Sequence, residues 1–137
     1  MEYRVFTVND YDAAYELWRQ DEAIGLSVSD DRESIRRFLM HNPEMSIAAV
    51  DGDHLAGTLL AGTDGRRGYL YHLYVAPVYR NRGIARELVK RSLQALEKAG
   101  ISRTHLFVFR ENQAGRAFWN RAGFRERDDI TVCTFER

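Results

Sequence analysis

With 137 residues the chain is the size of one domain and can bury a core without staples. Its 20 basic and 20 acidic side chains cancel, so no global field draws in nucleic acid or an anionic membrane surface. The lone cysteine, Cys133, rules out an internal disulfide, and no apolar run approaches the roughly 18 residues of a spanning helix.

In chain order, Tyr3 to Thr7 reads as a short strand. Asn9 or Asp10 can cap a helix in which Tyr11, Ala14, Tyr15 and Trp18 share one face. Ile35, Phe38 and Leu39 mark a second helix, with Asp30 and Glu33 spaced as a capping box, and Asn42-Pro43 ends it. Met45 to Val50 and Leu55 to Gly62 flank Asp51-Gly52-Asp53, a tight-hairpin sequence. Tyr69 to Ala76 is a third strand, stopped by Pro77. From Ile84 to Ala99 the apolar stripe Ala85, Leu88, Val89, Leu93 and Leu96 gives the longest helix, closed by Gly100. His105 to Phe109 follows as a strand, Gln113 to Ala122 as a helix ending at Gly123, and Phe124 to Arg127 with Thr131 to Glu136 as a closing pair of strands. Within that last strand Cys133 is expected to be a small buried residue.

The expected order is β-α-α-β-β-β-α-β-α-β-β, a mixed, mostly antiparallel α/β (α+β) sheet with helices on both faces. The strand-helix-strand passage from Tyr69 to Phe109 supplies one parallel, right-handed crossover. No linker or repeat divides the chain, so residues 1–137 read as a single domain. The chain opens on strand-like alternation rather than an apolar leader, which fits a cytoplasmic protein. No metal is expected.

The segment Leu73 to Ala85 joins a strand directly to the start of the longest helix. Free N–H groups and the helix dipole make such a start a site for phosphate or pyrophosphate. Gly83 allows close approach, and Arg80 and Arg82 add charge. The same residues could form an ordinary turn with a solvated rim. The segment carries neither the Gly-Lys-Ser/Thr of a P-loop nor the Gly-x-Gly-x-x-Gly of a dinucleotide fold.

Arg80-x-x-Gly83-x-Ala85, preceded by Leu73-Tyr74-Val75-Ala76-Pro77-Val78-Tyr79, resembles the Gln/Arg-x-x-Gly-x-Gly/Ala signature of the GNAT N-acetyltransferases. Asn112 to Phe124 is similar to the family's second signature, in which Asn opens a helix and Gly-Phe closes it. The resemblance spans nearly the whole chain, although residues 1–42 match only in element order. It implies transfer of an acetyl group from acetyl-CoA to an amine by direct attack. It also implies that Arg80, Asn81, Arg82, Gly83, Ile84 and Ala85 hold the CoA pyrophosphate. Leu73, Tyr74 and Val75 would offer an added-strand edge to pantetheine, with the Val75 N–H as oxyanion donor. Asn112, Phe118 and Trp119 would border the pantetheine arm and sulfur, Phe118 having a core position as its alternative. A homodimer is compatible with the family.

The resemblance fails at two places. The Tyr that often follows the signature Asn by seven residues is Trp119, which donates a hydrogen bond but is not a usable acid. The strand position that often holds a Glu base is Phe107. These departures keep open a non-catalytic acyl-CoA sensor or degenerate family member. His72, beside the pantetheine strand, is a candidate base or a merely packed residue, and strand parity cannot decide because a single bulge would re-aim it. Asp21, Glu22, Asp30 and Asp31 could attract a cationic amine or form a solvated rim.

Overall fold

The computed structural model describes all 137 residues, which fall into two compact units, Met1–Phe107 and Val108–Arg137. The first holds β1 (Glu2–Val5), α1 (Tyr11–Trp18), α2 (Arg32–His41), β2 (Ile47–Asp51), β3 (His54–Thr63), β4 (Gly68–Val75), α3 (Ile84–Lys98) and β5 (Thr104–Leu106). The sheet runs in the order β1-β2-β3-β4-β5, antiparallel until β5 joins β4 in parallel through the α3 crossover. The second unit carries α4 (Gln113–Arg121).

Hairpin chemistry sets the centre of the sheet. Asp51 and His54 are paired across a two-residue turn whose Gly52 sits at φ +59°, a conformation glycine adopts without a Cβ penalty. On one face Phe6, Trp18, Ile35, Ala48, Val50, Leu60 and Tyr74 form the core beneath α1 and α2. On the other, α3 approaches so closely that a Cβ at Gly57 would meet Leu88 at 3.3 Å and the Tyr74 carbonyl at 3.0 Å. Helices therefore cover both faces. The stripe of α3 differs from the expected one in two places: Ile84 is buried where Ala85 is half-buried, and Ser92 is fully buried and donates to the Met45 carbonyl at 3.1 Å, whereas Leu93 is half-buried.

Three expectations are corrected. No strand follows α4: Ile130, Val132 and Phe135 are 56%, 64% and 82% exposed. A β-prone pattern supplies side chains suited to a sheet but not the partner edge that makes a strand. Cys133, placed in that segment, is exposed rather than buried. The capping box at α2 is divided between neighbours: Asp30 pairs with Ser27 around a preceding 3-10 turn, and Asp31 caps α2 by accepting from the Ser34 N–H at 2.7 Å.

Candidate active site

β4 is the element on which the chemistry-bearing residues meet. Thr58 pairs with Tyr74 and Leu60 with Tyr71, so β4 carries an extra residue opposite Leu59, and His72 sits there at φ +55°. A left-handed conformation at a non-glycine residue costs on the order of 1–3 kcal/mol and persists only where its surroundings hold it. Three contacts do so. The His72 ring lies edge-on to Trp18 at 4.7 Å. Its carbonyl accepts from the Thr58 hydroxyl at 2.8 Å, and Thr58 in turn accepts from the Trp18 indole N–H at 2.9 Å. Its Nε2 lies 2.6 Å from Oδ1 of Asp30. The bulge turns Tyr71, which meets Phe38 at 5.8 Å, and His72 and Tyr74 all toward the α1 and α2 face, a parity the sequence leaves undetermined.

Asp30 is nearly buried, and its second oxygen accepts from the Ser27 N–H at 3.0 Å. Burial raises its carboxyl, but the hydrogen bonds from His72 and Ser27 outweigh that and leave it below the ordinary carboxylate range. Asp21 and Asp31 are likewise engaged by backbone N–H groups, of Ala23 and Ser34. Three of the four acids read as bait for a cation thus hold the turns around them.

The outer edge of β4 behaves differently. β5 pairs only with Gly68, Tyr69 and Leu70. Beyond Leu70 that edge has no strand beside it. Ala76 donates to the Ala56 carbonyl at 2.8 Å, so by alternation Tyr74 faces β3, while the N–H and C=O groups of Leu73 and Val75 face outward. The Val75 carbonyl accepts from Nε of Arg80 at 2.9 Å, and the Arg80 guanidinium lies over the Tyr74 ring. The Val75 N–H remains open.

From this edge the chain passes through the turn Pro77–Tyr79 and two left-handed residues, Asn81 at φ +65° and Gly83 at φ +78°, into α3. Tyr79 ties the turn to the β2 hairpin by donating to Asp51 at 3.0 Å, with Arg82 over its ring. No side chain caps α3. The N–H groups of Ile84 and Ala85 at its first turn have no intrahelical acceptor. A Cβ on Gly83 would meet nothing within 4 Å, so glycine serves the backbone angle and leaves the space before the helix clear. Open donors, two arginines and empty space match what an anionic pyrophosphate requires.

In the second unit Asn112 caps α4, its Oδ1 accepting from the Gly115 N–H at 3.0 Å. A Cβ on Gly115 would lie 2.5 Å from the Asn112 amide nitrogen, so glycine makes the cap possible. That nitrogen, Nδ2, keeps its hydrogens unspent. Trp119 is half-buried between Phe118 and Phe124, each ring 5.1 Å away. Gly123 at φ +99° ends the helix, with Phe124 donating back to the Trp119 carbonyl at 2.9 Å. No group of three His, Cys, Asp or Glu side chains is gathered to hold a metal ion, and no helix is long and apolar enough to cross a membrane.

Sequence reasoning missed the partnership of His72 with Asp30 and the clasp of Arg80 on Val75. The first follows from the bulge, which leaves no mark in the order of residues, and the second from the turn Pro77–Tyr79, which folds Arg80 back on the end of β4.

The profile of the Acetyltransferase (GNAT) family matches residues 11–124. An acetyltransferase of Pectobacterium atrosepticum is 32% identical over 132 residues, 96% of this chain and 93% of that protein. One of Photorhabdus laumondii is 31% identical over 137 residues, covering 100% and 95%. The fold is similar to that of the PaiA N-acetyltransferase of Thermoplasma acidophilum, solved with coenzyme A, with a TM-score of 0.79 at 20% identity over 94% of this chain and 92% of that one. With its sheet, its uncapped α3 and these relatives, the chain belongs to the GNAT family of acetyltransferases.

Proposed function

We propose that the protein transfers the acetyl group of acetyl-CoA to a primary amine by direct attack in a ternary complex. One observation carries the reading: open main-chain donors run from the outer edge of β4 at Leu73 and Val75 to the uncapped start of α3. Arg80, Asn81, Arg82, Gly83, Ile84 and Ala85 surround the pyrophosphate, and Leu73, Tyr74 and Val75 extend the sheet to pantetheine. Acetyl-CoA brings the activated thioester. The Val75 N–H donates to the carbonyl oxygen as charge gathers there, and His72 takes the proton that the acceptor ammonium must lose. A C–N bond forms, the C–S bond breaks, and the second amine proton leaves to water or to the thiolate. Trp119 cannot supply that proton, and a thiol of pKa about 8.5 leaves without one. The assignment of Asn112, Phe118 and Trp119 to the pantetheine arm rests on the resemblance.

The same reading treats residues 1–137 as one catalytic domain of the cytoplasm, as a monomer or homodimer. The single domain is supported by the extent of the family match. An acyl-CoA sensor is the second reading, favoured by Trp119 and by the exposed Phe107 where acid and base often stand. Thermal unfolding and an amine screen for CoA release separate them. An enzyme is stabilised by acetyl-CoA and releases CoA only when an amine is added, a sensor is stabilised and releases none, and a chain that does neither sinks both readings.

A further inference from the structure

Resting on the reading of His72 as the base, we propose that Asp30 is a positioning residue that holds the His72 ring with its proton on Nε2 and its lone pair on Nδ1, the nitrogen that takes the acceptor's proton. An ionised carboxylate only accepts hydrogen bonds, so the 2.6 Å contact from Nε2 to Oδ1 of Asp30 places the ring hydrogen on Nε2. The ring makes no other hydrogen bond, and no buried side-chain nitrogen or oxygen lacks a partner. Nδ1 therefore opens to solvent.

Capping does not account for this arrangement. Oδ2 of Asp30 satisfies the Ser27 N–H, and Asp31 next to it caps α2, so Oδ1 is free for the imidazole alone. The hydroxyl of Tyr11, from α1, donates to the Asp30 carbonyl at 2.7 Å and fixes the backbone that carries the carboxylate. From the sheet, Thr58 and the left-handed bulge fix the backbone that carries the ring. Asp30 and His72 lie 42 positions apart and are each held from two elements, the construction a proton-accepting pair needs. The groups facing the pair are the neutral Trp18 and Thr58, Tyr11, and Asp31, whose charge works against that of Asp30.

In the step itself an acceptor R–NH3+ gives one proton to Nδ1. The ring becomes an imidazolium with both nitrogens protonated, paired with the Asp30 carboxylate, and the amine is left with the lone pair that attacks. Water then removes the proton from Nδ1 and restores the ring.

Nitrogen-15 NMR of the ligand-free protein reads the ring directly. The expected neutral form carries its hydrogen on Nε2; a hydrogen on Nδ1 overturns the positioning while leaving His72 able to act as a base. In Asp30→Asn, turnover is expected to fall about tenfold or more. In a His72→Gln background the same change should cost nothing further. Unchanged turnover, or an equal loss in that background, makes Asp30 a structural residue only. If His72→Gln leaves turnover and its pH dependence intact, the base reading fails and the proposal with it. Should Asp30→Asn not fold, the NMR result on the natural protein decides.

Discussion

At the start of α2 the Asp31 carboxylate accepts from the Ser34 N–H, and just before it Asp30 accepts from Ser27 and His72. At the start of α3 the corresponding place is Gly83, with no side chain on the helix end and open space where a Cβ would point. Both loops are rich in charge, yet one uses its charges on itself and the other leaves its donors facing outward. A satisfied polar group contributes to the fold, whereas a donor left open at a helix start is available to an anion. Formal charge in the sequence does not separate the two cases; hydrogen-bond accounting does.

The largest effect expected from breaking a satisfied group is at Thr58, which is fully buried between the Trp18 indole and the His72 carbonyl. Thr58→Val keeps the shape and leaves both partners unpaired, a loss of about 2–4 kcal/mol in urea unfolding. The β4 bulge should loosen with it; a loss of only a few tenths would mean that the hydroxyl does not hold the bulge.

Next comes the open helix start. At a hundred times its dissociation constant acetyl-CoA should add about 2.7 kcal/mol to the stability of the natural protein. Gly83→Asp should lose that gain while changing ligand-free stability by about 1 kcal/mol through its left-handed backbone. The mirror variant Asp31→Ala should lower the unfolding midpoint and keep the acetyl-CoA gain, and a reversal of these two results would undo the contrast.

Asn112 combines both conditions, with Oδ1 engaged and Nδ2 open. Asn112→Ala should cost about 1 kcal/mol of stability as a lost cap and also weaken acetyl-CoA binding. A stability loss with unchanged affinity would restrict Asn112 to the cap.

The smallest effect is in acid. Although burial raises the Asp30 carboxyl, its hydrogen bonds hold it below the ordinary value, so Asp30 contributes stability above that value, near pH 4, and loses it as pH falls through the depressed one. Urea midpoints should therefore fall more steeply below pH 4 in the natural protein than in Asp30→Asn, and identical slopes would argue against an engaged carboxylate.

Much of this molecule was legible in the order of its residues. The helices announce themselves by period and by stops at Gly100 and Gly123, the β2–β3 hairpin by Asp51-Gly52, and the turn into α3 by Arg80-x-x-Gly83-x-Ala85. These are local signals, set by backbone angles and by side chains within a turn or two of each other. The α2 cap was displaced by one residue because Asp30 and Asp31 are both suited to it; Asp31 takes it, and Asp30 is engaged by Ser27 and the distant His72. Closing strands were expected after α4 because a strand's side chains are visible in sequence while its pairing partner is not.

By itself, then, the sequence determined the element types, the antiparallel core of the sheet and the glycine turn before α3, all governed by short-range sterics and hydrophobic period. Only the tertiary structure decided the bulge at His72, the meeting of His72 with Asp30 and the open edge of β4 beyond Leu70. Those features depend on how β3, β4 and β5 come into register and on a turn 42 positions from His72 packing against them, and register is a property of the packed sheet rather than of any one strand.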